Sequence, residues 1–189
     1  LTHSKNAGSG YVYHLVTAMN AQGQLTQASK ANGVLNEVFT YAAETGQMKS
    51  VHTDTASGGN QRHRIDYGYD GFGNLDWQQV ENVQSGQTIV SLENYGYDKL
   101  HRLISADRTV GGVAQGAISY AYDAVGNFSS KGDYASSYDY GNSAKSLGGN
   151  AGPNGVRSIT KIGGGTVNYG YDLNGNLTSG GGKTLTYNS

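Results

Sequence analysis

The residues that could do chemistry come first. Gly180-Gly-Gly-Lys183-Thr184 has the closing residues of a phosphate-binding P-loop, in which backbone N–H groups cradle phosphate and the lysine reaches it. That pattern needs glycine five residues before the Gly182-Lys183 pair. Leu177 stands there, and a strand-like Thr184-Leu-Thr-Tyr187 follows where a helix is required. The segment therefore reads as a glycine-rich hairpin loop. Asp172-Leu-Asn174-Gly-Asn176 has oxygen ligands at calcium-loop spacing, but positions six and twelve are Leu177 and Lys183 instead of Gly and Glu. Turn capping explains the same residues without a metal. His3, His14, His52, His63 and His101 show no metal-pair spacing. Arg62-His63-Arg64 reads as a solvated strand edge before it reads as an anion site. No G-x-S-x-G nucleophile elbow is present, so a hydrolase is not expected. Asn127-Phe-Ser129 and Asn176-Leu-Thr178 fit the glycosylation sequon at turns. Trp77 and the tyrosines could stack on sugars or hold unfolded peptide if exposed. Laddering across strands is the favoured reading for most of them. No catalytic, cofactor or metal residue is expected.

Bulk composition points the same way. The 189 residues carry a formal net charge of -1 and only 14% charged residues. This argues against a nucleic-acid footprint. Glycine stands at 30 and proline at one, Pro153, with 15 Tyr against 3 Phe. Many tight turns joining strands follow from that mix. Tyrosine carries the apolar mass, burying a ring while keeping its hydroxyl bonded. Cysteine is absent, so disulfides and thiolate metal sites are excluded. No stretch approaches the roughly 18–20 apolar residues of a membrane span. The chain opens at Leu1 without a signal peptide, and reads as a piece of something longer.

What must position these residues is a repeat. Tyr67-Gly-Tyr69-Asp70-Gly-Phe-Gly73-Asn74-Leu75 recurs as Tyr120-Ala-Tyr122-Asp123-Ala-Val-Gly126-Asn127-Phe128, and again as Tyr169-Gly-Tyr171-Asp172-Leu-Asn-Gly175-Asn176-Leu177. A degenerate copy, Tyr95-Gly-Tyr97-Asp98-Lys-Leu-His-Arg-Leu103, keeps the head and the final leucine but lacks the Gly-Asn pair. Tyr138-Asp-Tyr-Gly-Asn142 and the 39–48 stretch (Phe39-Thr-Tyr41, then Thr45-Gly-Gln-Met48) are worn copies. Tyr11-Val-Tyr13 and Leu185-Thr-Tyr-Asn188 read as partial units at the two ends. Tyrosines at i and i+2 share one face of a strand. Asp opens a turn and its carboxylate accepts nearby N–H groups. Gly three residues on takes the φ > 0 position of a type I turn with a G1 bulge, and Leu or Phe starts the returning strand. Further strands are expected over 87–92, 116–120, 156–162 and 166–169, and no helical period is sustained. The fold class is all-β: tandem hairpins in a single antiparallel array spanning 1–189.

The Tyr-x-Tyr-Asp-x-x-Gly-Asn-Leu unit resembles the YD repeat of the Rhs family of bacterial polymorphic toxins. The same repeat occurs in shell components of insecticidal toxin complexes, wall-associated bacterial proteins and teneurins. The resemblance runs from about residue 39 to 189. Asn20-Ala-Gln-Gly-Gln-Leu25, Asn32-Gly-Val34 and Thr45-Gly46 are similar to the looser repeats of such shells. It implies a curved, spiralling sheet forming part of a shell that encloses a toxic or other polypeptide, secreted or at a bacterial surface. A single hairpin is marginal in water and needs neighbours. The Asp-Pro segment that ends such shells has no counterpart, since Pro153 lies in Gly149-Asn-Ala-Gly-Pro-Asn-Gly155. Expected partners are the enclosed polypeptide or further repeats of the same chain. Alternatives are an adhesion module that binds a carbohydrate or receptor, and a filament that self-associates through open sheet edges.

Overall fold

The computed structural model describes residues 3–5, 10–141 and 151–188. Asn142 of the worn 138–142 copy, and Gly149 and Asn150 ahead of Pro153, lie outside the described residues. Seventeen strands follow in chain order: β1 (His3–Lys5), β2 (Val12–Met19), β3 (Leu25–Lys30), β4 (Leu35–Tyr41), β5 (Met48–Thr55), β6 (Gln61–Tyr69), β7 (Leu75–Gln84), β8 (Gln87–Tyr97) and β9 (Leu103–Val110). Then come β10 (Val113–Tyr122), β11 (Phe128–Lys131), β12 (Ala135–Tyr140), β13 (Val156–Lys161), β14 (Thr166–Asn168), β15 (Gly170–Tyr171), β16 (Leu177–Gly180) and β17 (Lys183–Thr184). No helix occurs among the described residues. Strands β1 to β14 are hydrogen-bonded in chain order as one open antiparallel sheet, and β15 to β17 form a second, three-stranded one. The expected all-β array of hairpins is what the chain forms.

The chain falls into two compact units. The first holds Leu1–Gly96 with Asp107–Gly116, and the second Tyr97–Ala106 with Ala117–Ser189. In the first, register decides which residues share a face, because directly opposed residues project to the same side. Phe39 opposes Val51, Val51 opposes Ile65 and Ile65 opposes Val80. These four make an apolar row across β4 to β7, each only half-buried. The opposite face carries Thr40, Ser50, Asp66 and Gln79 in the neighbouring row. Buried apolar side chains are few among the described residues: Val16 and Ala28 in the first unit, Ala135, Ala151 and Ile159 in the second. Buried Glu37 accepts from Lys30 Nζ at 2.8 Å and from Thr53 Oγ1 at 3.3 Å. In the second unit, buried Arg157 donates through one terminal nitrogen to Asp139 at 2.8 Å, while its Nε has no partner among the described residues.

Turns alternate between two kinds. Within each unit the Asp-led loops stand at one end of the strands, 70–74 in the first and 123–127 in the second. At the other end are tight turns with left-handed residues, Ser85-Gly86 and Gly111-Gly112, the φ > 0 pairs that two-residue hairpins demand. One repeat is thus two strands and one turn of each kind. Gly181 and Gly182 form such a turn between β16 and β17, so Gly180 to Thr184 is a hairpin. Tyr11 and Tyr13 differ from expectation. Tyr11 precedes β2 and Tyr13 lies early in it; that strand runs on to Met19 and turns at Asn20, because His14 follows Tyr13 where a unit head has a turn-forming Asp.

Candidate functional site: the row of Asp-led loops

Each full repeat builds the same loop. In 70–74, Gly73 N–H donates to the Asp70 carbonyl at 3.1 Å and Asp70 N–H to the Asn74 carbonyl at 2.9 Å. Gly73 has φ 90. This is the type I turn with a G1 bulge that the spacing predicts. One Asp70 carboxylate oxygen accepts from the N–H groups of Phe72 and Asn74, both at 2.9 Å, and the other from the Asn74 side-chain amide at 2.8 Å. Asp123 does the same with Val125 and Asn127. Asp172 repeats it with Asn174 and Asn176. All of the calcium-like oxygens of Asp172 are thus occupied by N–H donors. Among the described residues no group of three or more His, Asp or Glu could hold a metal.

The tyrosines and apolar residues of the motif lie at or beside strand ends and starts. Tyr67 and Tyr69 end β6, and Leu75 starts β7; Tyr95 and Tyr97 are on β8, and Leu103 starts β9. Tyr120 and Tyr122 end β10 and Phe128 starts β11. The last head is split, with Tyr169 between β14 and β15, Tyr171 ending β15 and Leu177 starting β16. In the second unit the rings ladder. Tyr122 stacks on Phe128 at 5.0 Å between centroids, and Phe128 lies 6.2 Å from Tyr138. Tyr138 stacks on Tyr140 at 6.3 Å.

Sequence reasoning missed what the second tyrosine does in five of the units. Its hydroxyl donates to the carbonyl of the residue that opens the returning strand of the preceding unit. Tyr41 reaches Leu25, Tyr122 reaches Leu103, Tyr140 reaches Phe128 and Tyr171 reaches Val156, each at 2.8 Å, while Tyr187 reaches Leu177 at 2.9 Å. These bonds staple one hairpin to the next. Tyr140 and Tyr187 thus make the same bond as Tyr122 and Tyr171. Burial holds the Tyr122, Tyr140 and Tyr171 phenols above their ordinary range, so they remain donors at neutral pH. Tyr122→Phe is expected to lower unfolding free energy by about 0.5–1.5 kcal/mol, the net worth of one such bond. Urea denaturation of the pair of proteins measures it.

Loops also bond sideways. Within the first unit, Gln24 Nε2 donates to the Gly46 carbonyl at 2.8 Å and Gln47 Nε2 to the Gly73 carbonyl at 3.2 Å. Within the second, an Arg102 guanidinium N–H reaches the Asp123 carbonyl at 3.4 Å and the Asn127 amide reaches Asn154 at 3.3 Å. The residue following the left-handed position is therefore the lateral connector.

Two loops show how the pattern degrades. In 20–24, Asn20 replaces Asp and accepts from Gln22 N–H at 3.1 Å and Gln24 N–H at 2.9 Å, so a neutral residue holds the same loop. In 98–102, Arg102 replaces Asn and its guanidinium Nε donates to Asp98 at 2.7 Å. His101 occupies the glycine position with φ 60. A left-handed conformation costs a non-glycine residue about 1–2 kcal/mol, partly offset by the entropy glycine adds to the unfolded chain. His101→Gly is expected to raise stability by about 0.5–1 kcal/mol, read as an increase in the urea midpoint.

The carboxylates carry a pH dependence. The Asn74 side chain, then backbone N–H groups, hold Asp70 below the usual carboxylate range. The Arg102 N–H and guanidinium do so for Asp98, and the Asn176 amides for Asp172. At Asp123 burial pushes upward, but the N–H groups of Asn127 and Val125 together outweigh it. A depressed folded-state value gives stability that is fully present above the unfolded value of about 3.9. That stability is lost as pH falls through the folded values. The melting temperature should fall steeply on acidification from about pH 5 to about pH 2. The triple variant Asp70→Asn, Asp123→Asn, Asp172→Asn should show a flatter acid limb, as the Asn20 loop implies. An unchanged limb would refute the assignment.

Arg62-His63-Arg64 does not act as a cluster. Strand alternation sends His63 to the face opposite its neighbours, and Arg64 is bonded to Asp66 at 2.9 Å. No family model and no curated protein matches the chain. Among solved structures it is similar to the crystal structure of TcdB2-TccC3-TEV, at 20% identity and a TM-score of 0.36, covering 94% of this chain and 9% of that one. A second similar structure is TcdB2-TccC3 without its hypervariable C-terminal region, at 20% identity and a TM-score of 0.35, with 93% and 9% covered. The chain spans 9% of the length of the chains it matches. No helix among the described residues is long and apolar enough to cross a membrane.

Proposed function

We propose that the chain is a non-enzymatic segment of a YD-repeat wall of the Rhs type, secreted or displayed at a bacterial surface, that encloses a polypeptide. One observation carries the reading: the same tyrosine staple recurs between successive hairpins at Tyr41, Tyr122, Tyr140, Tyr171 and Tyr187. Such a structure is extended by adding units. A row of half-buried apolar side chains on one sheet face supports it, since an enclosed unfolded chain presents apolar surface to match. Its partners are then the enclosed polypeptide and further repeats of the same protein.

The test is size-exclusion chromatography with light scattering on the 189-residue chain, with electron microscopy of the same fractions. The wall reading expects concentration-dependent, open-ended association, because unpaired sheet edges are exposed. A monodisperse monomer would overturn it in favour of a self-contained binding module. Ordered polymers would make the chain a filament subunit.

A further inference from the structure

Within the second unit, a cavity of about 540 Å³ lies between the end strand β14 of the large sheet and the hairpin of β16 and β17. That volume is within the roughly 300–1,000 Å³ of small-ligand clefts, and the wall role does not require it. Two hairpins build its sides. In the turn from β13 to β14, Lys161 N–H donates to the Gly165 carbonyl at 2.9 Å and Gly164 N–H to the Lys161 carbonyl at 3.1 Å. This turn brings Lys161 and Thr166 to the cavity. On the other side Lys183 stands opposite Gly180 and Thr184 opposite Ser179. Two lysines thus border one cavity, and no acidic side chain lines it.

Their charge is uncompensated. Among the described residues Lys30, Arg64, Arg102, Lys131 and Arg157 each hold a carboxylate, whereas Lys161 and Lys183 take part in no ion pair. Two ammonium groups on one cavity repel, and an anion between them removes the repulsion. The backbone adds donors. Gly181 and Gly182, at φ 58 and 77, leave their N–H groups without a backbone acceptor. Nothing lies within 4 Å of a Cβ at either glycine, so a ligand can approach bare backbone. A strand follows where a P-loop has a helix, yet lysine beside exposed glycine N–H groups supplies the same donors to an oxyanion. Ammonium, N–H and hydroxyl donors, with neither carboxylate nor aromatic ring among the lining residues, match a compact, multiply charged oxyanion. A phosphoryl group presents three strong acceptor oxygens to such donors.

We propose that this cavity binds a diphosphate group, with Lys161 and Lys183 on its oxygens and the Gly181 and Gly182 N–H groups and the Thr184 hydroxyl completing the contacts. The probe is inorganic pyrophosphate, titrated into the full chain by calorimetry at pH 7.5. Saturable binding is expected, with a Kd no weaker than about 1 mM. Lys161→Gln and Lys183→Gln should each weaken it about tenfold, the worth of one charge-assisted hydrogen bond. Lys49→Gln, in the first unit, should leave it unchanged. All three lysines are solvent-facing side chains, and an unaltered melting temperature in each variant shows that the fold is kept. ADP distinguishes the sources of the group: affinity equal to that of pyrophosphate admits diphosphate esters, weaker binding assigns the free ion, and both results support the site. No heat up to about 10 mM pyrophosphate overturns the proposal. So does wild-type affinity in either Lys161→Gln or Lys183→Gln, an equal loss in Lys49→Gln, or sulfate binding as tightly as pyrophosphate, which would mark an unselective patch of charge.

Discussion

Replacing Ile159 by alanine is expected to lower unfolding free energy by about 2–5 kcal/mol. Ile159 is 1% exposed and is the largest fully buried side chain among the described residues. It lies on β13 opposite Tyr138 of β12 and Val167 of β14, so a cavity there is bounded by strands on both sides. The same truncation at Ile65, which is half-buried in the row from Phe39 to Val80, removes less area from water and should cost less. The contrast matters because buried apolar side chains are scarce in this sheet, whereas a typical domain draws its 5–15 kcal/mol from a full core. Urea unfolding at constant slope measures both variants. A loss at Ile159 no greater than at Ile65 would mean that burial is not what holds the second unit together.

The repeat heads were legible because turn chemistry is local. Asp70, Gly73 and Asn74 lie within five residues, and each has a conformational reason to be there. The alternation of strand and turn followed at once. The Asn20 loop was recognised only as a looser repeat, although it closes with the same backbone bonds as the 70–74 loop. Asn and Gln supply the same acceptors and donors as Asp and Asn, but they do not match letter for letter. His101 and Arg102 were hidden for a similar reason: the sequence loses Gly-Asn while the backbone keeps the left-handed residue and the side-chain donor. The tyrosine staples could not be read at all. They depend on which residue of one strand faces which of another, and that register is set by bulges such as the one between Gly68 and Tyr69.

That dependence on register makes the residue between the two tyrosines the sharpest test of the fold. It is Gly68 in one head and Ala121 in another, and its requirement should follow from what stands opposite. Gly68 faces Trp77, whereas Ala121 faces Ser130. Gly68→Ala places a methyl group within 2.0–2.7 Å of three indole atoms, and a rigid bicyclic ring can yield only by swinging off the strand. The expected loss is about 1–3 kcal/mol, the usual range for overpacking, together with a red shift of Trp77 emission as the ring enters water. In a Trp77→Ser background the methyl group meets a partner of the kind Ala121 has. There Gly68→Ala should be neutral or stabilise by about 0.5–1 kcal/mol, because alanine loses less backbone entropy than glycine on entering a strand. The double-mutant cycle isolates the pair. Equal losses in both backgrounds would show that Gly68 is needed for its backbone conformation and that the indole does not lie where the register puts it.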